Sequence, residues 1–92
     1  MAIKRLTVFY TGRVQGVGFR FMCKQVAMGF DLAGTIRNLP DGRVELVIEG
    51  DADELDEYRQ AARDAGLDGF IRQEMVKWSA AEGTFKGFQI VT

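Results

Sequence analysis

The chain has 92 residues, 47% hydrophobic and 27% charged, with a net charge of −1; this is one domain over residues 1–92, burying roughly 60–65% of its unfolded surface in a single core. The pI near 5.3 argues against broad binding to a nucleic-acid backbone, which needs a basic surface, and the absence of histidine beside a single cysteine, Cys23, removes zinc sites, Ser-His and Cys-His nucleophiles and any intrachain disulfide. No segment approaches the roughly 18 apolar residues of a membrane span, residues 1–5 do not lead into the long apolar core of a signal peptide, and an unpaired thiol suits a reducing compartment, so a cytoplasmic monomer with no cofactor, metal, membrane or nucleic-acid partner is expected.

In chain order, residues 6–11 are β-rich and alternate loosely, which predicts a first strand. A glycine loop follows, Gly12-Arg13-Val14-Gln15-Gly16-Val17-Gly18-Phe19-Arg20. Phe19, Met22, Cys23, Val26, Ala27 and Phe30 then recur at helical spacing, predicting a helix over roughly 19–29 that stops near Gly29. A short strand over 33–38 runs into Leu39-Pro40-Asp41-Gly42, a turn in which proline presets φ and glycine accepts φ > 0. The alternating stretch 43–49 completes a hairpin, with Val44, Leu46 and Ile48 inward.

Asp51 followed by Glu54 has the spacing of a capping box. Leu55, Tyr58 and Ala62 line one face of the second helix, and Gly66 closes it. Residues 71–78 read as a strand and 87–91 as a short last strand with Phe88 and Ile90 inward, joined through a turn at Glu82-Gly83-Thr84. The order is β-α-β-β-α-β with a small extra strand. It predicts an α+β, ferredoxin-like sandwich, an antiparallel sheet with two helices on one face.

Right-handed crossovers in this pattern favour the spatial order 4-1-3-2. The loop after strand one and the end of strand two then share one sheet edge, which brings Asn38 near the glycine loop, two strand spacings or roughly 9.6 Å across. Arg20 falls off the core face in the first turn of its helix and can reach back over the loop. Loop amides, the helix N-terminus and a guanidinium all favour an oxyanion there. The loop matches neither the Walker A pattern nor Gly-x-Gly-x-x-Gly, so no nucleotide site follows.

Taken alone, these residues leave other readings open. A glycine loop can be a bare strand-to-helix turn, and an asparagine beside Pro-Asp-Gly can merely flank the hairpin. The same fold can hold an anion without turnover. It is also the fold of RNA-recognition modules, but residues 43–49 lack their strand-three aromatic signature. Cys23 shares the face of Phe19 and Val26 and reads as core; Lys24 and Arg37 read as solvated, and Arg13 as a possible substrate contact. Phe21 and Met28 fall on the back of the first helix and could mark a small contact patch.

The stretch from Gly12 to Arg20 resembles the first signature of the acylphosphatase family. Gly34-Thr35-Ile36-Arg37-Asn38, with Gly42-Arg43-Val44 and Gly50, resembles the second, and Phe85-Lys86-Gly87-Phe88-Gln89-Ile90 is similar to the family's tail. The resemblance spans nearly the whole chain. It implies the fold given above and metal-free hydrolysis of the carboxyl-phosphate bond of small acyl phosphates, by in-line water attack with no covalent enzyme intermediate. It further implies that Arg20 binds the phosphate, that Asn38 positions the water, and that the backbone of Val14, Gln15, Gly16, Val17, Gly18 and Phe19 cradles the phosphate. Tyr10 stands where the family usually has an aliphatic residue, and Thr35 where it usually has an aromatic one; neither is a catalytic position. The chemistry suits the inventory. A carboxylate leaving group needs no strong acid, and a loose phosphoryl-transfer transition state is helped mainly by positioning and charge.

Overall fold

Alternation along the first strand sets up the two faces of the sheet. In a computed structural model that describes residues 2–92, strand β1 is Ile3–Gly12, and its Leu6, Val8 and Tyr10 are buried on one side. Helix α1 (Phe19–Ala27), β2 (Leu32–Asn38), β3 (Val44–Asp51) and α2 (Ala52–Ala62) follow. A π-type turn over Arg63–Leu67 and a short 3-10 turn over Asp68–Phe70 lead into β4 (Ile71–Ala80), and β5 is Phe88–Ile90.

The sheet order is β4-β1-β3-β2-β5. The first four strands are antiparallel neighbours in the expected 4-1-3-2 order. The extra strand β5 joins the outer edge parallel to β2, so the sheet is mixed though mostly antiparallel. Register places Leu6 beside Ile48, Val8 beside Leu46 and Tyr10 beside Val44, while Ile36 lies beside Leu46. All of these are buried, and Phe19, Cys23 and Ala27 from α1 and Leu55, Tyr58 and Ala62 from α2 complete the same core. Each such large side chain contributes roughly 1.5–3 kcal/mol on burial.

Two polar ties fix the helices. The buried Tyr58 hydroxyl donates to the Cys23 carbonyl at 2.7 Å, joining α2 to α1. Glu74 of β4 accepts from Arg59 at 2.9 Å and from Arg63 at 2.7 Å, holding the end of α2 over the edge strand. On the opposite face of the sheet, Arg5 pairs with Glu49 at 2.7 Å and stacks over the Phe85 ring, so the segment before β5 folds across the strands.

Several local expectations are corrected. Strand β1 starts at Ile3, before the apolar run, because Lys4 and Arg5 pair with both neighbouring strands. Helix α1 ends at Ala27 rather than near 29. Tight i→i−3 bonds from Met28 to Gln25 and from Gly29 to Val26 close it, with no left-handed glycine. The capping box does not form: Asp51 caps α2 by accepting from the Asp53 amide, but Glu54 accepts from the Asp31 amide at 2.9 Å. Helix α2 ends at Ala62, and Gly66, at φ 114, closes the π-type turn after it. Ile90, expected inward, is 39% exposed, because it lies on the outermost strand.

Candidate active site

The segment between β1 and α1 owes its shape to alternating glycines. Gly16 and Gly18 both adopt left-handed φ, 76° and 78°. Glycine reaches this left-handed region at little cost, and backbone of alternating hand is the kind of local geometry that can turn neighbouring N–H groups toward an anion. Gly18 is also the N-cap of α1 and offers no side-chain cap, and the first turn carries no acidic residue. The amides and the partial positive charge at this end therefore have no side-chain oxygen capping them.

The loop is braced at both ends. Val14 and Phe19 anchor it in the core, and Phe19 packs edge-on against Tyr10 with centroids 5.0 Å apart. Tyr10 thus acts as the floor beneath the helix start, and burial pushes its hydroxyl pKa upward. The Gln15 side chain donates to two carbonyls across the molecule, Leu39 and Arg43, each at 2.9 Å. These carbonyls flank the β2–β3 turn, so Gln15 fixes the loop to the end of the strand that carries Asn38. The turn has its own closure: the Leu39 amide donates to Arg43 at 2.8 Å, and the Arg43 amide donates to the Asp41 carboxylate. That amide, together with the Arg43 guanidinium, holds the Asp41 carboxyl below its usual range.

A cleft of about 160 Å³ opens between loop, helix and strand, lined by Val14, Gly16, Gly18, Phe19, Arg20, Phe21, Asn38 and Ile90. Arg20 and Asn38 therefore converge on one cleft, as the topology required. Of the six expected loop residues, Gln15 and Val17 do not line it: Gln15 is spent on the brace, and Val17 packs toward the core. Arg13 lies outside the cleft and lines a separate hollow with Phe70 and Arg72. Thr35 faces another, with Phe85 and Lys86.

Charge and hydrogen bonding single out two side chains. Arg5, Arg37, Arg43, Arg59 and Arg63 each pair with a carboxylate. Among the described residues Arg13, Arg20 and Arg72 have no such partner, and of these Arg20 alone lines the cleft, where it is the one charged side chain. Asn38 keeps its Oδ1 buried with no donor among the described residues. An orphaned buried acceptor costs roughly 1–3 kcal/mol. A residue present only to close a hairpin would spend that oxygen on the turn, as Asp41 does. Cys23 is buried in the core, and burial pushes its thiol up to about 12, so it is inert as a nucleophile.

Sequence reasoning did not place Phe21 and Ile90 at this cleft. Phe21 follows Arg20 off the core face, and that adjacency was the available signal; for Ile90 the parallel docking of β5 gave none.

The acylphosphatase family model matches residues 6–90. An acylphosphatase of Acidothermus cellulolyticus is 44% identical over 87 residues, covering 91% of this chain and 83% of that protein. One of Methylococcus capsulatus is 41% identical over 97% of both chains. The crystal structure of acylphosphatase from Bacillus subtilis superposes with a TM-score of 0.87 at 31% identity, covering 97% of this chain and 99% of that one.

Proposed function

The chain belongs to the acylphosphatase family, whose activity is hydrolysis of acyl phosphates, and we propose that it performs this reaction in the cleft shared by Arg20 and Asn38. The observation that carries the assignment is that convergence: an unpaired guanidinium and an unpaired amide oxygen, from different elements, beside a loop with left-handed glycines.

In this reading the phosphoryl group sits against the amides of residues 14–19 and the first turn of α1, with Arg20 gripping its equatorial oxygens. The Asn38 amide holds a water on the far side of phosphorus. The water oxygen bonds to phosphorus as the bond from phosphorus to the acyl oxygen breaks, and that electron pair leaves with the carboxylate. Both water protons end on the phosphate as dihydrogen phosphate. Asn38 is neutral and takes no proton; it orients. The leaving carboxylate is weakly basic, so a chain without histidine suffices, and the step draws on positioning and charge rather than on general acid catalysis.

The chain acts as one domain, a monomer in the cytoplasm, with a small acyl phosphate as its partner and no nucleic acid. The net charge of −1 and the buried free thiol support that setting. Among the described residues no helix is long and apolar enough to cross a membrane.

The deciding measurement is benzoyl phosphate hydrolysis by the parent chain, Arg20→Ala and Asn38→Ala. Removing one preorganised charge-stabilising donor lowers kcat by roughly 10²–10³-fold, and a loss of that order is expected for Arg20→Ala. Asn38→Ala should lower kcat with little change in KM. Rates equal to the parent's overturn the assignment, and phosphate binding without turnover would leave an anion-binding module.

A further inference from the structure

The cleft has a lip of unlike character from its floor. Phe21, in the first turn of α1, is 61% exposed, and Ile90, at the end of β5, is 39% exposed. Lone exposed apolar residues are ordinary, but these two come from elements far apart in sequence and line the same cleft as Arg20 and Asn38.

The cleft is small, about 160 Å³, against the roughly 300–1,000 Å³ of pockets that enclose a drug-sized ligand. A bound phosphoryl group and its water occupy the polar floor. The acyl part of the substrate must then leave the floor across the lip. The side chains there are a phenyl ring and a branched alkyl group. The one lining charge, Arg20, is committed to the phosphoryl oxygens, so the cleft lining offers a charged acyl chain no second cation.

We propose that Phe21 and Ile90 form an apolar platform for the acyl group and bias the enzyme toward apolar, above all aromatic, acyl phosphates. The inference rests on the assignment of the phosphoryl site to Arg20 and Asn38. An aromatic acyl group stacks on or edges against Phe21 and covers Ile90, whereas an acetyl group offers a single methyl to either. The platform touches neither phosphorus nor the water, so its contribution is to binding and appears in KM.

The test compares kcat/KM for benzoyl phosphate and acetyl phosphate in the parent, Phe21→Ala, Ile90→Ala and Phe21→Leu. Intrinsic reactivity of the two anhydrides cancels when the benzoyl-to-acetyl ratio is compared between proteins. Each alanine variant should lower that ratio by roughly 3- to 10-fold, the scale of one aromatic contact, chiefly through KM for benzoyl phosphate. Phe21→Leu should retain part of the preference. General damage to the fold would lower both rates together and leave the ratio fixed. If the parent cleaves both substrates and neither alanine variant changes the ratio, the platform is overturned while the hydrolase assignment stands. If the parent cleaves neither, the assignment itself fails, and the platform with it.

Discussion

Gln15 shows how a residue within a motif can serve by bracing rather than by touching the ligand. Its position in the signature was plain from sequence, but its partners were not. They are the Leu39 and Arg43 carbonyls, and backbone acceptors carry no mark in the sequence. Asn38 is the opposite case. Its proximity to the loop followed from strand order, while its unpaired Oδ1 could be seen only in three dimensions. Replacing Gln15 with alanine removes both hydrogen bonds, while the Arg43 carbonyl keeps the Leu39 amide and the Leu39 carbonyl keeps the Gly42 amide, so the loss is about 1 kcal/mol for each bond. Because the bonds hold the loop against the strand bearing Asn38, kcat/KM for benzoyl phosphate should fall by about tenfold or more, since small misplacements of reacting groups are costly. Urea unfolding and initial rates on Gln15→Ala check both parts. A variant that loses stability but keeps the parent's kcat/KM would show that the brace does not position the site.

At the scale of elements, pattern located both α-helices and the five strands, the π-type and 3-10 turns over residues 63–70 were not foreseen, and the ends were harder. Phe19, Cys23 and Ala27 on α1 and Leu55, Tyr58 and Ala62 on α2 are buried as their spacing demanded. The ends missed because termini are decided by competing local bonds. Glu54 is drawn to the Asp31 amide instead of closing a capping box, and α1 tightens into i→i−3 bonds before its glycine is reached. The polar tie between the helices was also hidden, since the acceptor is a backbone carbonyl: the buried Tyr58 hydroxyl donates to the Cys23 carbonyl at 2.7 Å. Tyr58→Phe keeps the ring packed edge-on against Phe30 and deletes only that bond. The expected cost is about 1 kcal/mol, read as a lower urea midpoint with an unchanged m-value. A larger loss with a reduced m-value would mean that the hydroxyl organises the helix pair rather than merely joining it.

For the whole molecule, composition and topology carried the most. Handed crossovers gave 4-1-3-2, and that order alone put the glycine loop and Asn38 at one edge. The docking of β5 parallel to β2 was not foreseen, because three residues carry too little pattern to choose an edge or a direction. Composition also shapes stability against pH. With no histidine in the chain, side-chain titration leaves a plateau from about pH 6 to 8. On the acid side, burial of the Glu49 carboxyl opposes its ionisation. The Glu82 and Gly83 amides, each at 2.9 Å, and Arg5 outweigh that burial and hold its pKa below the usual 4.5. A depressed carboxylate adds stability that is complete above its unfolded pKa and is lost as pH falls through the folded one. On the alkaline side the sign reverses. Cys23 is pushed up to about 12 from a usual 9.0, and Tyr10 and Tyr58 are raised, all by burial first. The unfolded chain therefore releases protons that the folded chain keeps, and stability falls as pH climbs past about 9. Urea midpoints from about pH 3 to 10 should trace this dome. Glu49→Gln, which cannot ionise, should lie below the parent on the plateau and converge with it as pH falls, because the parent loses its carboxylate over that range. Parallel acid limbs for the two proteins would mean that Glu49 does not govern acid unfolding. The pinning of the segment before β5 across the sheet by Arg5 and Glu49 would then contribute no pH-dependent stability.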